Sequence, residues 1–388
     1  MKIALLWPSY WPYIRRGTER MVHDIAQYLA GQGHEVHILT TKPGGTAVTK
    51  DGPVTVFRLG QIDHPLFIRQ RWVPRFDTHG LQVLPLLWRG RYDLVHCFFY
   101  SYAPSVRLLR AVQGTPYIYH VVSIPPAWNR AMDAWLLDRI LGGAAAVRVF
   151  SRWCADYVRQ HQGIEAAVLP PTVDTERFYP CAERDLEHPG ILFTGDLAEE
   201  RKGAHLLVEA FNRLHRRHPE TRLILAGPGG FNVEERVLRR IDPTARPAVL
   251  IPGPGTLASL PGTYATAAMT VLPSTGEPFG MVYTESLACG TPAVGARSGA
   301  VPEILTDPAV GTLFELGARE ADTVHHLAAA MEATLPLAFD AQTRERCRQH
   351  ARQWTWQALG PRLDELQALA LHPTSRLRQV TSLGRSAA

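Results

Sequence analysis

Two carboxylates eight positions apart, Glu277 and Glu285, flank the backbone of Gly280, Met281 and Val282. The segment joins a Gly- and Pro-containing loop, Ser274 to Gly280, to an apolar run, Met281 to Cys289, that reads as a helix. Backbone N–H groups at such a helix start carry partial positive charge, so the site is suited to a phosphate with a carboxylate on either side. Other chemistries find less support. His34 with His37 and His215 with His218 lack a third ligand at metal spacing, so no metal site is expected. The first strand runs into Pro8-Ser9-Tyr10-Trp11 where a dinucleotide site would need a GxGxxG turn. Five cysteines, Cys97, Cys154, Cys181, Cys289 and Cys347, stand singly and form neither a CxxC pair nor an even set, which points to a reduced, cytoplasmic setting.

The elements that must position these residues come from the hydrophobic pattern. Ile3 to Trp7 is a buried-strand run, and Met21, Val22, Ile25, Ala26 and Leu29 recur at helical spacing before Gly31 to Gly33 stops them. The same alternation recurs at Val36 to Thr40, Tyr92 to His96, Pro116 to Val121 and Ala146 to Phe150. A Pro-rich, charged stretch from Leu169 to Gly190 interrupts it, and a second series restarts at Ile191 to Gly195, Arg222 to Gly227, Ala248 to Ile251, Thr270 to Pro273 and Pro292 to Gly295. Strand and helix in repeated alternation imply an α/β protein of two Rossmann-like doubly wound domains. Their expected limits are 1–180 and 181–355, followed by a helix over 356–371 that crosses back to the first domain and a flexible tail over 372–388. Open parallel sheets bind ligands at the carboxyl ends of their strands, so the loops there should hold the function, in a cleft between the two domains.

The 388 residues are 46% hydrophobic and 20% charged, a globular composition that excludes disorder. Net charge is +5, and residues 1–180 hold all of the excess, with 20 Lys and Arg against 13 Asp and Glu. That one-sided surplus suits an anionic substrate or membrane surface and falls short of a nucleic-acid footprint.

Glu277-Pro278-Phe279-Gly280-Met281-Val282-Tyr283-Thr284-Glu285, followed by Ser286-Leu287-Ala288-Cys289-Gly290-Thr291-Pro292, resembles the glutamate motif of the retaining glycosyltransferases of family 4 (glycosyl transferases group 1). Further matching segments follow the family's order: Gly33-His34-Glu35-Val36, Tyr92-Asp93-Leu94-Val95-His96, Val173-Asp174 with Phe178 and Pro180, Arg201-Lys202-Gly203, and Gly299-Ala300-Val301-Pro302-Glu303. The resemblance covers residues 1 to about 370 and implies the GT-B fold, a metal-independent enzyme and sugar transfer with retention. It implies a nucleotide diphosphate sugar held by the second domain and an acceptor held by the first.

Residue by residue, the resemblance gives Glu285 the ribose hydroxyls and Glu277 the hydroxyls of the donor sugar. Phe279, Gly280, Met281 and Val282 would meet diphosphate and sugar, mainly through backbone N–H. Lys202, with Arg201 beside it, would neutralise the leaving phosphate, whose charge grows as the glycosidic bond breaks. Gly17 would allow the donor phosphate close to the backbone, and His120 would face the donor from the first domain. Asp196 stands where the family usually has Arg; Arg201 could supply the missing charge, or Arg15 and Arg16 could, or the donor binds in an altered way. Two other functions stay open: a non-catalytic nucleotide-sugar-binding subunit and a nucleotide-sugar epimerase.

For the acceptor, aromatics follow strand ends of the first domain at Tyr10, Trp11 and Tyr13 and at Phe98, Phe99, Tyr100 and Tyr102. His64 to Arg91 interleaves Arg69, Arg71, Arg75, Arg89 and Arg91 with Phe67, Ile68, Trp72, Phe76 and Trp88. Together they suggest a lipid-linked, anionic or aromatic acceptor and a peripheral contact with the inner face of a membrane.

Overall fold

The computed structural model describes residues 1–13, 16–60, 79–123, 131–229, 233 and 237–372. The fold is α/β, and the chain divides into two compact units, Met1–Thr172 together with the residues from Leu359 onward, and Val173–Ala358. The first unit holds β1 (Lys2–Leu6), β2 (Glu35–Lys42), β3 (Ala47–Asp51), β4 (Val54–Gly60), β5 (Leu94–Cys97), β6 (Tyr117–His120), β7 (Ala146–Val149) and β8 (Ala167–Val168). These form one sheet in the order β3-β4-β2-β1-β5-β6-β7-β8. All neighbours pair in parallel except β3 with β4. The second unit holds β9 (Gly190–Thr194), β10 (Arg222–Ala226), β11 (Val249–Leu250), β12 (Met269–Leu272), β13 (Ala293–Ala296) and β14 (Gly311–Phe314), in the order β11-β10-β9-β12-β13-β14.

The central strands are apolar on both faces because helices cover both. Ile3, Ala4, Leu5 and Leu6 of β1 are wholly buried, as are Ile191, Leu192 and Phe193 of β9. The helix Gly17–Gly31 buries Met21, Val22, Ile25, Ala26 and Leu29 against the first sheet, and the Arg16 N–H donates to Glu19 Oε2 at 3.1 Å across its first turn. In the second unit, Ala204–His215 buries Leu206, Leu207, Val208, Phe211 and Leu214 in the same way.

The last helix, Trp356–Leu371, leaves the second unit at Ala358. Its residues Leu359, Leu363, Leu366 and Ala370 are buried. Tyr28 Oη donates to Asp364 Oδ2 at 2.9 Å, and Arg362 Nη2 donates to the carbonyl of Val168 at 2.6 Å. Each buried leucine here contributes about 1.5–3 kcal/mol relative to exposure, so the helix is an integral wall of the first unit.

Two pieces of the first sheet were not anticipated from the sequence. Thr49 to Asp51 and Val54 to Val56 form the antiparallel hairpin of β3 and β4 around Gly52 and Pro53, and β8 closes the opposite edge. Of the Arg-rich segment, residues 61–78 lie outside the described residues, with Arg69, Arg71 and Arg75 among them. Its remainder forms two short helices, His79–Gln82 and Leu84–Gly90.

Candidate active site

In the second sheet the chain proceeds from β9 to β10 and β11 on one side, then returns to β12 on the other. The crevice outside the carboxyl ends of β9 and β12 is the position where such a sheet accepts a ligand. The loop after β9 carries Arg201 and Lys202, and the loop after β12 carries Glu277. Arg201 Nη1 and Lys202 Nζ both donate to Glu277 Oε2, at 2.9 and 3.0 Å. Arg201 also pairs with Glu199 at 2.8 Å, and its carbonyl accepts the Thr275 N–H at 3.0 Å. The two loops are therefore fastened together by main chain and by charge.

Burial alone would push the Glu277 carboxyl up. The Lys202 and Arg201 charges outweigh it and hold the group below its ordinary value, so Glu277 is an anion at neutral pH. Burial likewise opposes the Arg201 charge, and Glu277 and Glu199 reverse that opposition. The side chains of Lys202 and Glu277 are only 16% and 12% exposed. A charge cluster so sheltered is less screened by salt than a surface pair.

The helix Met281–Ala288 starts at Gly280, whose φ of +104° excludes an ordinary side chain. A Cβ there would also lie 2.6 Å from the ring of Tyr283, which is fixed in turn by its hydroxyl donating to the Leu272 carbonyl at 2.6 Å. A third loop, after β13, holds Glu277 from behind. Gly299, at φ +61°, presses so closely on Glu277 that a Cβ would lie 2.5 Å from its carbonyl oxygen. The Ala300 N–H donates to that carbonyl at 2.9 Å, and Ser298 Oγ accepts the Gly276 N–H at 3.1 Å. The sequence had flagged Gly299 and Ala300 only as matching segments; their close approach joins residues that are far apart in the chain, which no local pattern reports.

Glu285 lies in the second turn of the same helix and is 3% exposed. Tyr264 Oη donates to its Oε2 at 2.9 Å and stands 3.3 Å from Thr194 Oγ1 at the end of β9. Phe279 turns its ring inward, edge-on to Trp354 at 6.2 Å, so only its main chain faces the loop. Asp196 accepts the Ala198 N–H at 3.0 Å and closes the turn after β9. Gly17 starts the helix after β1 and is exposed; Arg15 lies outside the described residues.

The residues chosen in the first unit are placed differently. His120 is wholly buried. Arg148 Nη1 lies 3.3 Å from His120 Nδ1, and a guanidinium can only donate, so Nδ1 accepts. His120 Nε2 then carries the proton and donates to His96 Nδ1 at 2.9 Å. Burial, with Arg148 nearby, pushes both rings down, His96 to about 3, and both are neutral. Phe98 stacks on His120 at 4.2 Å and is itself core, as are Tyr10 and Tyr100. Tyr13 is exposed, and Trp11 and Phe99 are half-buried. An open recess of about 470 Å³, its mouth included, lies at the ends of β5 and β6, walled by Phe99, Tyr100, Tyr119, Val121, Leu137 and Tyr157.

Among the described residues, no three His, Cys, Asp or Glu side chains converge to hold a metal, and no helix is long and apolar enough to cross a membrane.

The chain is similar to known proteins along most of its length. Residues 15–177 match the family described as Glycosyltransferase Family 4, and residues 188–335 match Glycosyl transferases group 1. A D-inositol 3-phosphate glycosyltransferase of Paenarthrobacter aurescens is 28% identical over 88% of this chain and 90% of its own. Its counterpart in Corynebacterium jeikeium is 30% identical over 71% of this chain and 72% of its own. The sucrose-phosphate synthase of Thermosynechococcus elongatus superposes with a TM-score of 0.78 over 95% of this chain and 98% of that one, at 21% identity, which establishes the GT-B fold. The chain therefore belongs to glycosyltransferase family 4, the group 1 glycosyl transferases.

Proposed function

We propose that this glycosyltransferase moves a sugar from a nucleoside diphosphate sugar to an acceptor with retention of anomeric configuration and without a metal. The observation that carries the reading is the convergence of Lys202 and Arg201 on Glu277 beside the helix that starts at Gly280. The N–H groups of Gly280, Met281 and Val282 meet the diphosphate at the positive end of that helix. An ammonium has three donors and Glu277 takes one, so Lys202 has capacity for phosphate oxygens. Arg201 supplies the charge absent at Asp196. Glu277 accepts hydroxyls of the donor sugar, and Glu285, oriented by Tyr264, accepts those of the ribose.

As the glycosidic bond breaks, negative charge grows on the diphosphate, where fixed cations stabilise it more than in the ground state. The acceptor oxygen attacks on the face that the phosphate leaves, and its proton passes to the departing phosphate oxygen. The acceptor binds the first unit. Names of relatives such as D-inositol 3-phosphate glycosyltransferase support an anionic polyol, and the aromatic recess at Phe99 and Tyr100 suits an apolar portion of it. The basic excess of residues 1–180 fits peripheral contact with an anionic membrane.

The test is product analysis with a panel of UDP-, GDP- and ADP-sugars, with thermal midpoints measured beside it. A nucleoside diphosphate that binds only the folded state raises the midpoint. A midpoint unmoved by millimolar UDP, GDP and ADP, with and without magnesium, rejects the donor site; an inverted product rejects retention.

A further inference from the structure

Arg58 of β4 is 6% exposed, yet among the described residues its guanidinium makes a single hydrogen bond, from Nε to Thr49 Oγ1 at 3.2 Å. Its Nη1 has no partner, and among the described residues it forms no ion pair. The carboxylate that acts on it at longer range, Asp51, is occupied by the Tyr10 hydroxyl at 2.6 Å and His23 Nδ1 at 3.0 Å. A buried cation left in this state costs the folded protein stability, and native structures seldom tolerate it without a use.

A second orphaned donor shares this corner, and a third lies in the loop after β1 that packs over it. Thr40 is the register partner of Arg58 across β2 and β4, and its wholly buried hydroxyl has no partner. The indole N–H of Trp11 is also buried and unpaired. Trp11 follows Tyr10, whose ring lies 5.6 Å from the Arg58 guanidinium carbon; the Tyr13 ring lies 5.8 Å from it. All of this sits at the carboxyl ends of β1, β2 and β4, the ligand-binding edge of an open parallel sheet. Arg148 provides the contrast. It is as deeply buried, but donates to the Leu169 and Pro170 carbonyls, both at 2.8 Å, and to His120, and so needs nothing more.

We propose that Arg58, with Thr40 and Trp11, binds a phosphate group carried by the acceptor. The chemistry selects this class: a guanidinium fork and an indole N–H offer only donors, the hydroxyl can offer a third, and a phosphate brings several acceptor oxygens and negative charge. Tyr13, 53% exposed, is the ring that must swing aside to admit it. The inference deepens the proposed function, since it rests on the first unit taking the acceptor. It names a residue, Arg58, that no motif had singled out.

The experiment follows the indole N–H resonance of Trp11, assigned with Trp11→Phe, in the full ¹⁵N-tryptophan-labelled chain during titration with inorganic phosphate. The expected result is a saturating shift that Arg58→Met weakens at least about tenfold, that Arg58→Lys partly keeps, and that Lys202→Ala leaves unchanged. Thr40→Val gives the same weakening should Arg58→Met not fold. No shift in the wild type, or a shift retained in Arg58→Met and Thr40→Val, overturns the inference. A soluble inositol phosphate and vesicles of phosphatidylinositol, each set against its phosphate-free counterpart, then assign the group to a free phosphoester or a lipid headgroup. Failure here with the UDP midpoint shift intact condemns the phosphate site alone; loss of the UDP shift with Trp11 still responding condemns the donor reading alone.

Discussion

Both sheets present the same edge to a ligand, yet they treat charge in opposite ways. At the end of β9 and β12 two cations share one carboxylate, and the loops that carry them are tied by main-chain bonds. In the first sheet, Arg58 and Arg148 are buried and, among the described residues, neither has a carboxylate within ion-pair distance. The same core strand order thus carries a neutralised, pre-assembled crevice in one unit and, in the other, two separate buried arginines. Fold sets the place of a site; loop residues set its electrostatics. The difference also suits the proposed division of labour, in which one unit must hold a leaving group fixed while the other receives an anion.

The strongest way to break the comparison is at Gly299. Gly299→Ala places a methyl against the Glu277 main chain at positive φ, with an expected cost of about 3 kcal/mol in denaturant unfolding and a displaced Glu277. A variant of wild-type stability shows that the third loop does not hold the crevice. Lys202→Ala comes next. It should lower kcat about 10²-fold or more while the thermal midpoint moves little, because Arg201 still neutralises Glu277; turnover within threefold of wild type removes Lys202 from the chemistry.

Arginine replacement in the first unit sharpens the contrast. Arg148→Met strips the donors from two buried carbonyls and should cost about 2 kcal/mol. Arg58→Met removes one hydrogen bond and one uncompensated charge, so its stability should lie within about 1 kcal/mol of wild type or above it. Equal losses in both would erase the distinction between a satisfied and an unsatisfied buried cation.

The smallest effect is in pH dependence. His79, His96 and His120 of the first unit are all pushed down, chiefly by burial, the first two to about 3. The unfolded chain therefore binds more protons than the folded one from about pH 6.5 down to about 3, and stability falls as pH falls through that window. Glu277 acts only lower. Its depressed carboxyl contributes stability above the ordinary carboxylate value, and that contribution is lost as pH drops through the folded value. Hydrogen exchange across pH 7 to 4 should show the first unit loosening before the second, and simultaneous loosening contradicts it.

Much of the second unit was legible in the sequence because its signals are local. Glu277, Gly280 and Glu285 lie within nine residues, and Arg201 and Lys202 are adjacent, so motif and helix start announced them together. Gly299 closing on Glu277 and Tyr264 reaching Glu285 are long-range packing, and the sequence carries no marker of either. In the first unit the aromatics after β1 and β5 were correctly seen as clustered at strand ends. Period and residue type do not say which of them face inward, however, and Tyr10, Phe98 and Tyr100 went to the core. The burial of His120 escapes the sequence for the same reason. A strand-end histidine looks alike in sequence whether it faces solvent or a buried arginine on the next strand of the chain, and Arg148 sits inside an otherwise apolar run. The hairpin of β3 and β4 was overlooked because its outer strand is exposed and polar, with Thr49 and Lys50 where a core strand would be apolar.

The helix Trp356–Leu371 bears on how the chain is made. The first unit needs residues from Leu359 onward, which are the last of its parts to leave the ribosome, whereas the second unit has all of its own by Ala358. Vectorial synthesis therefore delivers the later unit complete while the earlier one still lacks a wall, with Tyr28 and the Val168 carbonyl waiting for Asp364 and Arg362. The two halves mature in the reverse of their genetic order. A permuted gene that begins with the last helix would restore the ordinary sequence of events, and the amount of soluble first unit formed during translation would rise accordingly.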